Sequence, residues 1–229
     1  MIEHPRGLLL FDFDGTVYRG DAPFRAYASH IAEALREPDR QTYLGRAARQ
    51  LAGVRKVEAG DYWQAMARLA KPYHLDRATL QEAFMKTRAY MMTDACRLEV
   101  PGALPSFLAR ARPRVIVALA SNSPEETCLP LLQKLGLHDA FHVVRPGAGK
   151  PEGLLPLIAE LEEQFQIPPG QVMSVGDHYG NDIAPARSAG YRTAYITPGD
   201  YFPGPVDLAG RRLEDVLPGV EEWVEGLWP

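Results

Sequence analysis

Residues 8–16 read LLLFDFDGT, an apolar run of four that ends on two acids, Asp12 and Asp14, set on either side of Phe13. An apolar run of this length suits a strand buried on both faces of a parallel sheet, where helices exclude water from every side chain. The acids do not suit it. A carboxylate withdrawn from water costs several kcal/mol unless a cation or hydrogen-bond donors meet it, so two at a strand end require positive charge from elsewhere in the chain.

Beyond Gly15 the pattern changes. From Phe24 to Met92 the apolar residues follow helical spacing. FRAYASHIAEALRE places Tyr27, Ile31, Ala34 and Leu35 on one stripe, and Pro38 is expected to end the segment. DYWQAMARLAK repeats the pattern with Trp63, Met66, Ala67 and Ala70. DRATLQEAFMKTRAY does so with Leu80, Ala83, Phe84 and Thr87, behind an expected N-cap at Asp76. After this insert, strands and helices alternate. RVIVALA, AFHVV, QVMSVGD and YRTAYIT read as strands, while PEETCLPLLQKLG, PEGLLPLIAELEEQF and NDIAPARSAG read as helices, the last closed by Gly190. PGDYFPGPVD reads as a loop, and GVEEWVEGLWP as a helix that packs Val220, Trp223, Val224 and Leu227 on the sheet. The expected architecture is α/β, a layered parallel sheet interrupted after its first strand by helices.

Ligands of such sheets bind beyond the carboxyl ends of the strands. Four ends converge there. They deliver Asp12 and Asp14, Ser121 in SNS, Lys150 in GKPEG, and Asp177 with Asp182 in GDHYGND. Asp12, Asp177 and a backbone carbonyl are hard oxygen ligands suited to magnesium, and Lys150 adds a fixed positive charge. The Ser121 hydroxyl and nearby N–H groups complete a cradle for a phosphoryl group. Asp12 would then attack phosphorus, and Asp14 would protonate the leaving oxygen and later take a proton from water. Gly15 gives the backbone freedom to turn past a bound anion.

These four motifs, in this order and with a helical insert between the first and second, resemble the haloacid dehalogenase-like phosphohydrolase superfamily over nearly the whole chain. The resemblance implies a Rossmann-like three-layer core over residues 1–16 and 97–229 and a small all-α cap over 17–96. It also implies a Mg2+ cofactor and hydrolysis through an aspartyl-phosphate. By its motifs Asp12 is the nucleophile and Asp14 the acid and base, with its carbonyl on the metal. Ser121 binds phosphate, Lys150 stabilises its charge, and Asp177 ligates the metal. Asp182 counts with the metal ligands and as an orienter of Lys150. Asn122 offers its backbone N–H to phosphate, and Phe13, Gly15 and Thr16 complete the loop against the substrate. Asn181 divides between helix cap and support for the ligands, and His178 lies open to a contact with substrate. Gly45 and Arg46 fall between helices, where relatives place a substrate-reading loop, although a solvated arginine is the plainer reading. Hinges are expected near Val17–Gly20 and Leu98–Pro101.

The 229 residues, 46% apolar and 24% charged, exclude a disordered or fibrous chain, and a net charge of −4 gives no reason to expect nucleic acid or an anionic membrane as partner. With two cysteines that lack metal or disulfide spacing, and with neither a secretory leader nor a membrane span read in the sequence, a cytoplasmic chain is expected. The expected partner is a small phosphorylated metabolite, and a monomer is the favoured state. Two other functions stay open: a phosphomutase that keeps water from the aspartyl-phosphate, and a binding protein on a retired hydrolase fold. Dehalogenation does not need Asp14.

Overall fold

The computed structural model describes residues 5–53, 62–197 and 203–228. Part of the Pro/Gly-rich loop, residues 198–202, and Asp61 at the head of one expected helix lie outside them. The chain divides into two compact units, one made of the segments up to Arg19 and from Glu99 onward, the other of Gly20–Leu98.

The first unit is built on a six-stranded sheet in the order β3-β2-β1-β4-β5-β6, with every pairing parallel. Its strands are β1 (Leu8–Phe11), β2 (Ile116–Ala120), β3 (Val143–Arg145), β4 (Val172–Gly176), β5 (Arg192–Ile196) and β6 (Leu208–Gly210). The chain steps outward from β1 to β2 and β3, then returns to lay β4 on the other side of β1. That reversal is the switch point of a doubly wound sheet, where a crevice opens at the strand ends.

Alternation along the strands sorts the core. Leu8 and Leu10 of β1, with Ile116, Ala118 and Ala120 of β2, pack against Leu154, Leu157, Ile158 and Leu161 of α7 (Leu154–Phe165). Phe11 meets Phe107 of α5 (Leu104–Ala111) and Phe141 edge-on, with ring centroids 6.4 and 6.3 Å away. Each fully buried Leu or Phe of this kind contributes about 1.5–3 kcal/mol. The other helices of this unit are α6 (Glu125–Lys134), α8 (Ala184–Ser188) and α9 (Leu213–Gly226).

The second unit is helical, with α1 (Ala22–Glu33), α2 (Asp39–Leu51), α3 (Tyr62–Ala70) and α4 (Arg77–Met91). Tyr27, Ile31, Tyr43, Met66 and Ala83 are buried in its own core. Asp76 caps α4 as expected, its carboxylate accepting the Thr79 N–H at 2.7 Å. That hydrogen bond holds the Asp76 carboxyl below its ordinary range.

Several expectations are corrected. Pro38 does not end α1, which stops at Glu33; it stands at the N-cap of α2. Gly45 and Arg46 do not lie between helices but within α2, because Tyr43 and Ala47, one turn apart, bury the same face. The third strand begins later than expected, since His142 uses its ring Nδ1 to accept the Val117 N–H at 3.0 Å. The helix expected over 181–190 is split into a single π-helical turn, Tyr179–Ile183, followed by α8. The C-terminal helix starts earlier, at Leu213, where the Arg211 and Arg212 N–H groups donate to Asp215 at 2.9 and 3.0 Å.

Candidate active site

The sheet register places the site. Phe11 is aligned with Leu119 of β2 and Val175 of β4, so Asp12, Ser121 and Asp177 leave the sheet at one edge. The Asp12 N–H extends the ladder by donating to the Val175 carbonyl at 2.8 Å. At Gly15 the chain turns with φ +88°, and an added Cβ would stand 2.1 Å from Asp177 Oδ2. Only glycine lets the first loop approach the fourth-strand carboxylate this closely.

Lys150 is the centre of the charge arrangement. Its ammonium donates to Asp12 Oδ1 at 2.7 Å and to Asp182 Oδ1 at 2.6 Å, and its side chain is 3% exposed. The other oxygen of Asp12 accepts the Thr16 hydroxyl at 3.2 Å. Asp182 Oδ2 accepts the His178 N–H at 3.1 Å, so that both Asp182 oxygens have a donor. Burial pushes the Asp12 carboxyl up to about 7; Asp182 and Asp14 push the same way, and Lys150 only partly offsets them. Burial alone would lower Lys150, yet the Asp12 and Asp182 charges and hydrogen bonds outweigh it and raise the ammonium above its ordinary value.

Asp14 is met by hydroxyl groups. Its Oδ2 accepts the Ser123 hydroxyl at 2.8 Å, and its Oδ1 accepts the Tyr18 hydroxyl. Two acids two residues apart thus occupy different environments, one facing an ammonium and one facing hydroxyls. The Ser121 oxygen accepts the Ser123 N–H at 3.0 Å, which leaves its own O–H proton to donate.

Sequence reasoning missed some of these groups. Tyr18 and Ser123 were not singled out, although Ser123 repeats Ser121 at strand spacing and Tyr18 stands one turn beyond Asp14. Asn122, expected through its backbone, acts here through its side chain: Oδ1 accepts the Lys150 N–H at 2.8 Å and Nδ2 donates to the Lys150 carbonyl at 2.9 Å. The cap of the turn after β4 is His178, whose Nδ1 accepts the Asn181 N–H at 3.1 Å; Asn181 is the capped residue rather than the cap. Phe13 is fully buried and packs edge-on against Tyr18 at 5.2 Å, so it supports the loop from within.

The donor set fits a divalent cation. Asp12, Asp177 and Asp182 each offer a carboxylate oxygen, and these atoms lie within 4.8 Å of one another. They are hard oxygens of the kind magnesium takes, and with Asp14 they set four carboxylates against the single ammonium of Lys150.

A family model for haloacid dehalogenase-like hydrolases matches residues 7–190, a span that includes all four strand-end motifs. The chain belongs to the haloacid dehalogenase-like hydrolase family. Among curated members, phosphoglycolate phosphatase 1 of Pseudomonas aeruginosa is 26% identical over 97% of this chain and 82% of its own length. A phosphoglycolate phosphatase of Nitrosospira multiformis is 27% identical over 81% of each. Among solved structures, the magnesium-bound HAD-hydrolase YfnB of Bacillus subtilis superposes with a TM-score of 0.63 at 18% identity, covering 95% of this chain and 99% of that one. The haloacid dehalogenase-like fold and its hydrolase class are therefore those of this chain. Among the described residues no helix is long and apolar enough to cross a membrane.

Proposed function

We propose that this chain is a magnesium-dependent phosphatase that hydrolyses a small phosphomonoester with Asp12 as the nucleophile. The observation that carries the reading is the Lys150 bridge between Asp12 and Asp182, beside an Asp177 carboxylate and an Asp14 that accepts the Ser123 hydroxyl. Asp12, Asp177 and the Asp14 carbonyl would hold Mg2+, which supplies positive charge to the phosphoryl oxygens; Asp182 serves mainly to fix Lys150.

The remaining work falls to side chains of this chain. Ser121 and Lys150 bind the phosphoryl oxygens and orient phosphorus toward Asp12. A carboxylate oxygen of Asp12 forms the bond to phosphorus as the bond to the leaving oxygen breaks, and Asp14 gives that oxygen its proton. Water then attacks the aspartyl-phosphate, Asp14 takes the water proton, and phosphate departs from a regenerated Asp12. The helical unit corresponds to the family's cap. Cys96 and Cys128, both buried, fit a reducing, cytoplasmic setting.

Phosphoglycolate heads the substrate panel because two curated relatives that span most of the chain carry that activity in their names. The test is phosphate release from a panel of phosphomonoesters, with and without magnesium, against Asp12→Asn. Magnesium-dependent release that Asp12→Asn abolishes is the expected result. Isomer formation from a sugar phosphate outpacing release would replace hydrolysis by mutase chemistry, and no turnover of any ester by folded, magnesium-loaded protein would overturn the reading.

A further inference from the structure

At the opposite edge of the sheet, strand starts rather than strand ends gather polar side chains. Arg6 precedes β1, Gln171 precedes β4 and Arg192 opens β5, and β4 lies between the other two strands. The three side chains line a cavity of about 600 Å3 with Gly170, and the last turns of α9 close one wall with Trp223 and Gly226. That volume is in the range of sites for small organic ligands, roughly 300–1,000 Å3. Strands of four or five residues separate it from the catalytic edge by roughly 15 Å, so it is a distinct place.

The lining specifies a ligand. Among the described residues the lining holds two arginines and no acidic side chain, on a chain whose net charge is −4. Both guanidinium planes are braced. Arg6 lies over the Trp228 ring at 4.5 Å and reaches the Leu227 carbonyl at 3.5 Å, while Arg192 donates one nitrogen to Asp207 at 3.0 Å. A guanidinium carries five N–H donors, so these contacts leave each fork with donors for a phosphate. Trp223 adds an aromatic side chain to the same wall, the kind of group on which nucleobases stack. At Gly170 and Gly226 an added Cβ would meet nothing within 4 Å, so these two positions of the lining are open.

We propose that this cavity binds a nucleoside phosphate, the base on Trp223 and the phosphate between Arg6 and Arg192. The inference is independent of the catalytic reading, since it uses none of those residues and needs no turnover. The test is calorimetric titration of the full chain with AMP, ADP and ATP in metal-free buffer, with adenosine and inorganic phosphate as fragments. Arg6→Ala and Arg192→Lys are the comparison variants; the first removes an exposed side chain, and the second keeps the charge beside Asp207 but loses the planar fork. Each variant's thermal melt is recorded to establish that it is folded. At least one nucleotide is expected to bind more tightly than either fragment, with affinity falling fivefold or more in both variants. Absence of nucleotide binding at millimolar concentration overturns the proposal, as does a fragment that binds as tightly as the best nucleotide or a smaller loss in either variant.

Discussion

Asp12 sits in a conflict that its neighbours resolve only in part. Its side chain is 10% exposed, and one ammonium must serve both it and Asp182. Burial is the main reason that its carboxyl rises from the ordinary 3.8 to about 7. The sign of the consequence is definite. Between those two values the folded protein binds a proton that the unfolded chain does not, so in metal-free buffer the Asp12 contribution to stability is full below about pH 4 and is lost as pH rises through about 7. A divalent cation favours the ionised carboxylate and acts against that loss. Urea unfolding in EDTA and in excess magnesium, at pH 5 and pH 8, is expected to show magnesium stabilising the protein more at pH 8. Equal stabilisation at both values would remove Asp12 from the metal site. The identity of this residue was legible in the sequence, because a double acid after an apolar run is costly wherever it occurs. Its coupling to Tyr18 and Ser123, by way of Asp14, was not. Those contacts depend on where two loops meet in space, and spacing along the chain does not report that.

The loops at the strand ends depend on one another. The loop after β2 supplies Asn122, whose amide bonds both the N–H and the carbonyl of Lys150 in the loop after β3. The amide therefore fixes where the Lys150 side chain starts its reach toward Asp12. Asn122→Ala is expected to cost only about 1–2 kcal/mol of stability, since the pair of hydrogen bonds is near solvent. The same change is expected to lower kcat roughly tenfold, because a reacting group displaced by a fraction of an ångström loses much of its effect. Steady-state kinetics beside a urea melt separates the two; a kcat within twofold of the parent would show that Lys150 is held without Asn122. At this scale the sequence was read well where periodicity was long and poorly where it was interrupted. The apolar runs of β1, β2, β4 and β5 announced themselves. Gly45 concealed α2, although Tyr43 and Ala47 one turn apart bury the same face of it. Pro218 masked the continuity of α9, and β6, only three residues long, has too few positions to show a period.

Each of the two units has a core of its own, and this decides how damage to one is read in the other. In the helical unit Met66 is fully buried, with Tyr27, Ile31, Tyr43 and Ala70 in the same cluster, and its backbone carbonyl accepts the Tyr43 hydroxyl at 3.2 Å. Truncation at this position removes packing and leaves a cavity, a change that costs about 2–5 kcal/mol in a core of this kind. The sheet unit draws its stability from a different set of contacts, centred on Leu8, Leu10, Ile158 and Leu161. Met66→Ala is therefore expected to act locally. Hydrogen exchange followed by mass spectrometry would show faster exchange in peptides from 20–53 and 62–98, while peptides spanning 116–120 and 172–176 keep their protection, because local opening needs only the contacts of its own cooperative unit. Equal loss of protection in the sheet peptides would mean that the chain opens as one cooperative unit, and the separation into two cores would then describe geometry without describing stability.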